Sequence, residues 1–470
     1  MAHGEDHAPE RSPGIARAWR QSCALRGTVY ALVAVALLVV APWWYLVHRS
    51  RAMLQEELQR IEDAGEPVTL AEAAPEPVPP DQNAALLYEQ VFNVSFTPGS
   101  SGGTSDLDAT GYSEMIESEY LAGNVSEEFV REVFEDPAVQ QTLDTLRRAS
   151  KRPHCVFPID WSQGPAILFP QLAKMRQAAR WLSARSKYAA ANGNTDEALE
   201  WCQVSLRISE HAAQEPTVIG QLVAIAIQAI AAAQARETLD EGIPSPEFAR
   251  EMIAYLRTID RRGAFRQAML GERAMMLETY RQIREEPQDL SAWFGETDAI
   301  TWAARLYASP AGLPLFNVDQ TAYLRLMREQ LELLDTVPPS DGLYERIRDL
   351  EETLAPTAVL ARIMFPVFSR AAENRDAAIA ELDVFEVALA LKVFRRQHGG
   401  YPADLSELQA AVDYDLPSDV FTGKSLHYRR DGDGFVVWSV GTDLDDEGGH
   451  GPREQGYDWD DHDIVWRCKR

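Results

Sequence analysis

Cysteine is scarce, with four in 470 residues, which excludes a disulfide-stapled scaffold. Basic charge is in deficit as well. Lys and Arg number 45 against 72 Asp and Glu, a net charge of −27, and a surface of that sign repels phosphate backbones, so nucleic-acid partners are excluded. Long apolar runs are few, which rules out a multi-span membrane protein. The chain also lacks a His-Glu-x-x-His pair, a phosphate-cradling glycine loop and any Cys/His arrangement suited to nucleophilic chemistry. Chemistry is not what this sequence advertises, and a non-enzymatic role is expected, with a hydrolase whose site lies in the helical domain or the acidic loop as the alternative.

What remains is globular in composition, at 46% hydrophobic and 25% charged residues, and long enough for two or three domains at roughly 150 residues each. One uncharged run, Val29 to Val47, is long enough to span a hydrocarbon core of about 30 Å. Trp43, Trp44 and Tyr45 close it, where amphipathic rings favour the headgroup layer. Pro42 after Ala41 argues against cleavage there, so the run reads as a retained single-pass anchor. Four arginines precede it and three follow, a weak bias. The short leading segment and the large following one favour a cytoplasmic N-terminus, with the bulk in the periplasm of a bacterial inner membrane. Cys155, Cys202 and Cys468 then face an oxidising space, where Cys155 and Cys202 either bridge or stay as separate buried thiols.

The expected organisation is a cytoplasmic segment (1–28), the anchor (29–47), a charged stalk and Pro-rich linker (48–80), a helical domain (81–372) and a C-terminal head (373–470). The fold class is α+β, predominantly α. Thr97–Gly111 has the composition of a surface loop. Helical periodicity runs from about Gln171, breaks at Asn192-Gly193-Asn194 and resumes with Thr195 as the expected N-cap. Val218 to Ala235 is apolar enough to suggest a second span, but its recurrent glutamines make it a buried core helix. Trp293, Phe294, Trp302 and Phe316 are expected to fill a core.

Beyond Asn374 the pattern changes. A helix from Asp376 to His398 ends at Gly399-Gly400, a short helix covers Asp404–Ala411, and strands are expected at Ser425–Arg430, Gly434–Val440 and Asp463–Arg467. Between the last two lies a loop with nine carboxylates, from Asp443 to Asp463, against the single Arg453. Charges so crowded repel unless a cation neutralises them, and calcium accepts six to eight oxygens in flexible geometry. Asp443, Asp445, Glu447 and Glu454 nearly match the spacing of an EF-hand loop, though no helices can flank it. A solvated loop without an ion is the alternative. His450, His462 and Cys468 match no structural zinc pattern.

The order of these pieces (QHGGYPADLSEL, LPSDVFTGKSLHYRR, GFVVWSVGTD, DHDIVW) resembles the soluble head of the major pseudopilin of type II secretion systems. The resemblance covers about residues 376–470. It implies a helix packed on a small antiparallel sheet and a calcium ion in the last loop, held by Asp443, Asp461 and Asp463 with nearby carbonyls. Together with Asp445, these form the candidate ligand set. It also implies pilin-like or secretion-system partners. The anchor departs from the family: position five after Gly27 is Leu32, not the glutamate of pseudopilins, so filament assembly is not implied. The PVPPDQNAALLY entry and the helical midsection resemble membrane-anchored proteins of planctomycete-like bacteria, which implies no activity.

Overall fold

In a computed structural model, residues 13–92, 116, 120, 126–285, 306, 307, 309–450 and 462–469 are described. Thr97–Gly111, Trp293, Phe294, Trp302 and Asp461 lie outside them. The chain is predominantly helical with one three-stranded antiparallel sheet, the α+β class expected from its patterning.

Helix α1 (Pro13–Asp63) carries the apolar run and continues beyond it without a break. Its membrane-length window is 0% buried, as a lipid-facing segment is. From Val47 onward the same helix enters the protein. Trp43, Val47, Ser50, Leu54, Glu57 and Ile61, spaced alternately by four and three, turn inward. This is the repeat of a two-helix seam. Its partner is α11 (Leu313–Thr336), the helix that buries Phe316. Residues 48–63 are therefore not a free stalk. Glu66 continues the docking through ion pairs to Arg266 and Arg273, each at 2.7 Å.

Between these lie α2 (Leu70–Ala73), α3 (Ala85–Phe92), α4 (Glu127–Glu135), α5 (Pro137–Ser150), α6 (Pro170–Ala191), α7 (Thr195–Ala213), α8 (Val218–Glu241), α9 (Pro246–Leu256) and α10 (Arg261–Glu285). Helices α6, α7 and α8 pack in succession. The N-cap of α7 is Asn194, one residue before the expected Thr195, and makes no side-chain cap bond. Thr195 instead lies against Gly242, where a Cβ would fall 2.1 Å from its hydroxyl. Helix α8 is the second segment long and apolar enough to span a bilayer. Its window is 61% buried against neighbouring helices, so it is the core helix its glutamines suggest. Gln228 donates to the Ala378 carbonyl at 2.5 Å inside that core.

After α11 come α12 (Leu343–Glu352) and α13 (Val359–His398), a 40-residue helix that passes through Pro366. The expected helix began at Asp376, and the structure extends it back by more than four turns. Asp319 explains its start: its carboxylate accepts the amides of Leu360 and Ala361 at 3.0 and 3.1 Å, and the hydroxyl of Tyr280 at 2.9 Å. Such acceptors satisfy amides that a helix N-terminus leaves orphaned.

Helix α14 (Leu405–Ala411) and strands β1 (His427–Asp431), β2 (Gly434–Ser439) and β3 (Ile464–Cys468) complete the chain. Sheet order is β1-β2-β3, with Asp431 opposite Gly434 and Phe435 opposite Cys468. Phe385 of α13 stacks on Trp466 at 4.8 Å. One core runs from Ile61 to Cys468, through α10, α11, α13 and all of the sheet. The expected boundary at 372/373 thus falls inside α13 and inside a shared core. A second core gathers Ala84 to Ile227 from α3 through α8. Cys155, Cys202 and Cys468 are buried and outside any disulfide, so Cys155 and Cys202 do not pair.

Candidate metal centre

Local chemistry sets the frame of the acidic loop. Helix α13 stops at Gly399, whose φ of 77° is a left-handed C-cap. Tyr401 then packs edge-on against Phe435 at 4.9 Å, and the Pro402 carbonyl accepts the Tyr428 hydroxyl at 2.8 Å. Asp419, buried in the quoted LPSDVF run, accepts from the Phe421 amide, the Ser439 hydroxyl and the Val440 amide at 2.8 to 3.1 Å. Those bonds fix the end of β2, from which the loop departs. Gly441 has φ of 75°, and a Cβ there would meet the His462 carbonyl at 2.5 Å, so the two ends of the loop touch at a position open only to glycine.

Within the loop, the carboxylates divide by role. Asp443 is half-buried and accepts the Asp445 amide at 3.2 Å, while Asp445 itself is exposed. Asp446 is occupied by the Trp438 indole N–H and the Gly448 amide, both at 2.9 Å, and its carboxyl lies below the usual range, with the indole bond as the main cause. Arg429 donates to the Gly448 carbonyl, and Arg467 to that of Gly449 at 3.1 Å.

Asp463 stands apart. It is 1% exposed, and its Oδ2 accepts the Gly449 amide at 2.8 Å. Its Oδ1 is buried with no partner, and so is Oε2 of Glu447. Burial, followed among the raising causes by the charges of Glu447 and Asp446, pushes Asp463 up to about 6. An unpaired buried carboxylate oxygen is costly; these two lie in one loop, where the Glu447 charge acts on Asp463, and oxygens of this kind are what a hard cation accepts.

Of the expected ligands, Asp463 is thus the one with a free buried oxygen. Asp443 sits at the loop's other end, Asp445 points to solvent, and Asp461 is outside the described residues. Among the described residues, no group of three or more His, Cys, Asp and Glu is assembled for a metal. Glu447 was legible only as the central residue of the EF-hand-like spacing, and β2 rather than a helix precedes that run. His462 and Cys468 stand at opposite ends of β3, with Cys468 turned toward the Leu239 carbonyl, so they do not converge on zinc.

Beside the loop opens a cleft of about 1090 Å³, lined by Tyr344 and Arg348 of α12, Arg370 and Glu373 of α13, and Asp443 and Leu444. Both charge signs line it. Burial raises Glu373, and the charges of Arg370 and Arg348 oppose that rise. No family model, curated protein or solved structure matches this chain.

Proposed function

We propose that this is a membrane-anchored protein of the bacterial envelope whose C-terminal sheet, steadied by calcium in its acidic loop, makes protein–protein contacts and performs no catalysis. The observation that carries the reading is the pair of buried, unpartnered oxygens on Asp463 and Glu447. Asp443 would join them only by a shift of the loop. The anchor is supported by the unburied apolar window of α1. The N-terminus on this reading is cytoplasmic and the bulk periplasmic, in the inner membrane.

A second reading makes the chain a scaffold or assembly factor for a secretion or pilus-like machine. What favours it is the packing of the Gly399-Gly400-Tyr401-Pro402 helix end on a small antiparallel sheet, the arrangement that the pseudopilin resemblance implies.

The test uses the full chain in detergent, because the sheet shares its core with the helices. Calcium at a hundred times its Kd stabilises by about 2.7 kcal/mol. Calcium is expected to raise the Tm and EDTA to lower it, with Glu447→Gln and Asp463→Asn each reducing the difference. A Tm indifferent to both additives defeats the metal centre.

A further inference from the structure

The seam between α1 and α11 fixes how the protein meets the bilayer. Trp43 Nε1 donates to the Pro310 carbonyl at 3.1 Å, Asn317 Nδ2 to Ser50 Oγ at 3.1 Å, and Arg325 Nε to Glu57 Oε1 at 3.3 Å. The partners are 267, 267 and 268 residues apart, so the two helices run parallel with their residues level. The N-terminal end of α11 therefore lies beside Trp43, at the end of the apolar run.

One to two turns above that belt, the guanidiniums of Arg51 and Arg284 stand at one level, with Arg49 on the other side of α1. Arg49 and Arg51 are exposed on α1. Arg284, exposed at the end of α10, bonds Asn317 Oδ1 at 3.0 Å and lies over the Phe316 ring at 5.0 Å, which sets it level with Ser50. At 1.5 Å rise per residue, this level is about 10 Å above Trp43. Among the described residues, neither Arg51 nor Arg284 meets a carboxylate, and Arg49 bonds the Tyr45 hydroxyl. Neighbouring Arg281, by contrast, is held by Glu278 and Glu285. Desolvation, then the nearby Arg51 charge, hold Arg284 below its usual value, so the pair is repulsive as it stands. In a chain of net charge −27, two arginines at one level with no carboxylate partner among the described residues are a local concentration of positive charge.

We propose that Arg51 and Arg284 form a binding site for the phosphate of an anionic phospholipid headgroup where α1 leaves the bilayer. A guanidinium fork matches phosphate oxygens, and one phosphate between Arg51 and Arg284 turns their repulsion into attraction. The source is lipid, because the arginines stand just above the aromatic belt, where headgroups surround α1. This inference rests on the anchor in the function proposed above, though not on the calcium loop.

Native mass spectrometry of the full chain in detergent, given equimolar phosphatidylglycerol and phosphatidylcholine, tests the site. The expected result is a several-fold excess of phosphatidylglycerol adducts, which falls to parity in Arg51→Gln/Arg284→Gln and is largely kept in Arg51→Lys/Arg284→Lys. Equal uptake by the wild type, or a preference intact in the Gln variant at unchanged Tm, overturns the proposal. So does displacement of the lipid by millimolar inorganic phosphate, which would mark a soluble-anion site. Release of the wild-type chain from vesicles by alkaline washing would remove the anchor and this site together. An anchored chain indifferent to headgroup removes the site alone.

Discussion

Glu66, three residues past the end of α1, closes on Arg273 in the middle of α10 at 2.7 Å, and the Arg273 side chain is wholly buried. The Pro67 carbonyl takes a second guanidinium nitrogen at 3.3 Å. Removing the carboxylate leaves a charge in the core without its counter-ion, a loss of about 3–5 kcal/mol. Glu66→Ala is expected to lower the urea midpoint accordingly, and Glu66→Gln less. An unchanged midpoint would mean that the segment after the anchor does not hold the domain.

Asp319 supplies a second test. It receives two amides of α13 and the hydroxyls of Tyr280 and Tyr307. Replacing a capping carboxylate costs about 0.5–2 kcal/mol, and orphaning buried donors adds about 1–3 kcal/mol. Asp319→Ala should therefore be among the most destabilising single changes in the chain. Hydrogen exchange should show the first turn of α13 opening before its centre. Equal protection along the helix would contradict the capping role.

Gly271 tests close packing directly. A Cβ there falls 1.9 Å from the Pro216 carbonyl oxygen. Backbone cannot yield as a side chain end can, so α10 and the turn between α7 and α8 must part. Overpacking of this kind costs about 1–3 kcal/mol. Gly271→Ala is expected to lower the Tm, even though alanine favours helices. A rise in Tm would refute the contact.

Stability should fall as pH rises above 6.5 when calcium is absent. Burial pushes Glu215 and Glu381 up to about 7, and burial with the charges of Glu386 and Asp419 does the same to Asp383. Each has a folded value above its unfolded one, so its stabilising share is complete below the unfolded value and disappears as pH climbs through about 7. His211 opposes this at lower pH. Burial holds it near 4, so its share is lost as pH falls from 6.5. Its opposing share fades as pH rises past its unfolded value of 6.5, where three carboxylates outweigh one imidazole. Tm measured in EDTA should decline from pH 6.5 to pH 8; a flat or rising profile would show that these groups are solvated in the native protein.

Periodicity carried much of the fold. The apolar stripe of α6, the Asn192-Gly193-Asn194 break and the tight hairpin after Asp431 are local signals, and each produces the element it suggests. The early part of α13 was hidden because Pro366 reads as a breaker, and because Arg375 and Asp376 look like surface charges. In fact, each buries the other at 2.8 Å. The seam of α1 was hidden for a different reason: its partner lies 267 residues away, and nothing in a charged segment such as Arg51–Asp63 announces which face will be covered. In the acidic loop, nine carboxylates look alike in sequence. Only burial separates Asp446, spent on Trp438 and Gly448, from Asp463 and Glu447 with oxygens to spare.

Helix α13 starts level with Asp319, two residues along α11 from Asn317, and runs parallel to α11, as the Asp319–Leu360 and Tyr323–Phe368 contacts require. Phe385 meets the sheet 25 residues after Leu360, which at 1.5 Å per residue is about 38 Å farther along. The sheet is thus carried on a mast whose foot is clamped to α1, while the loop after β2 reaches back along it to Arg370. With α1 as the membrane anchor proposed above, a molecule confined to the headgroup layer is too short to reach the contact of Phe385 with Trp466. Whatever engages that face must either diffuse freely or be tall enough to stand beside it.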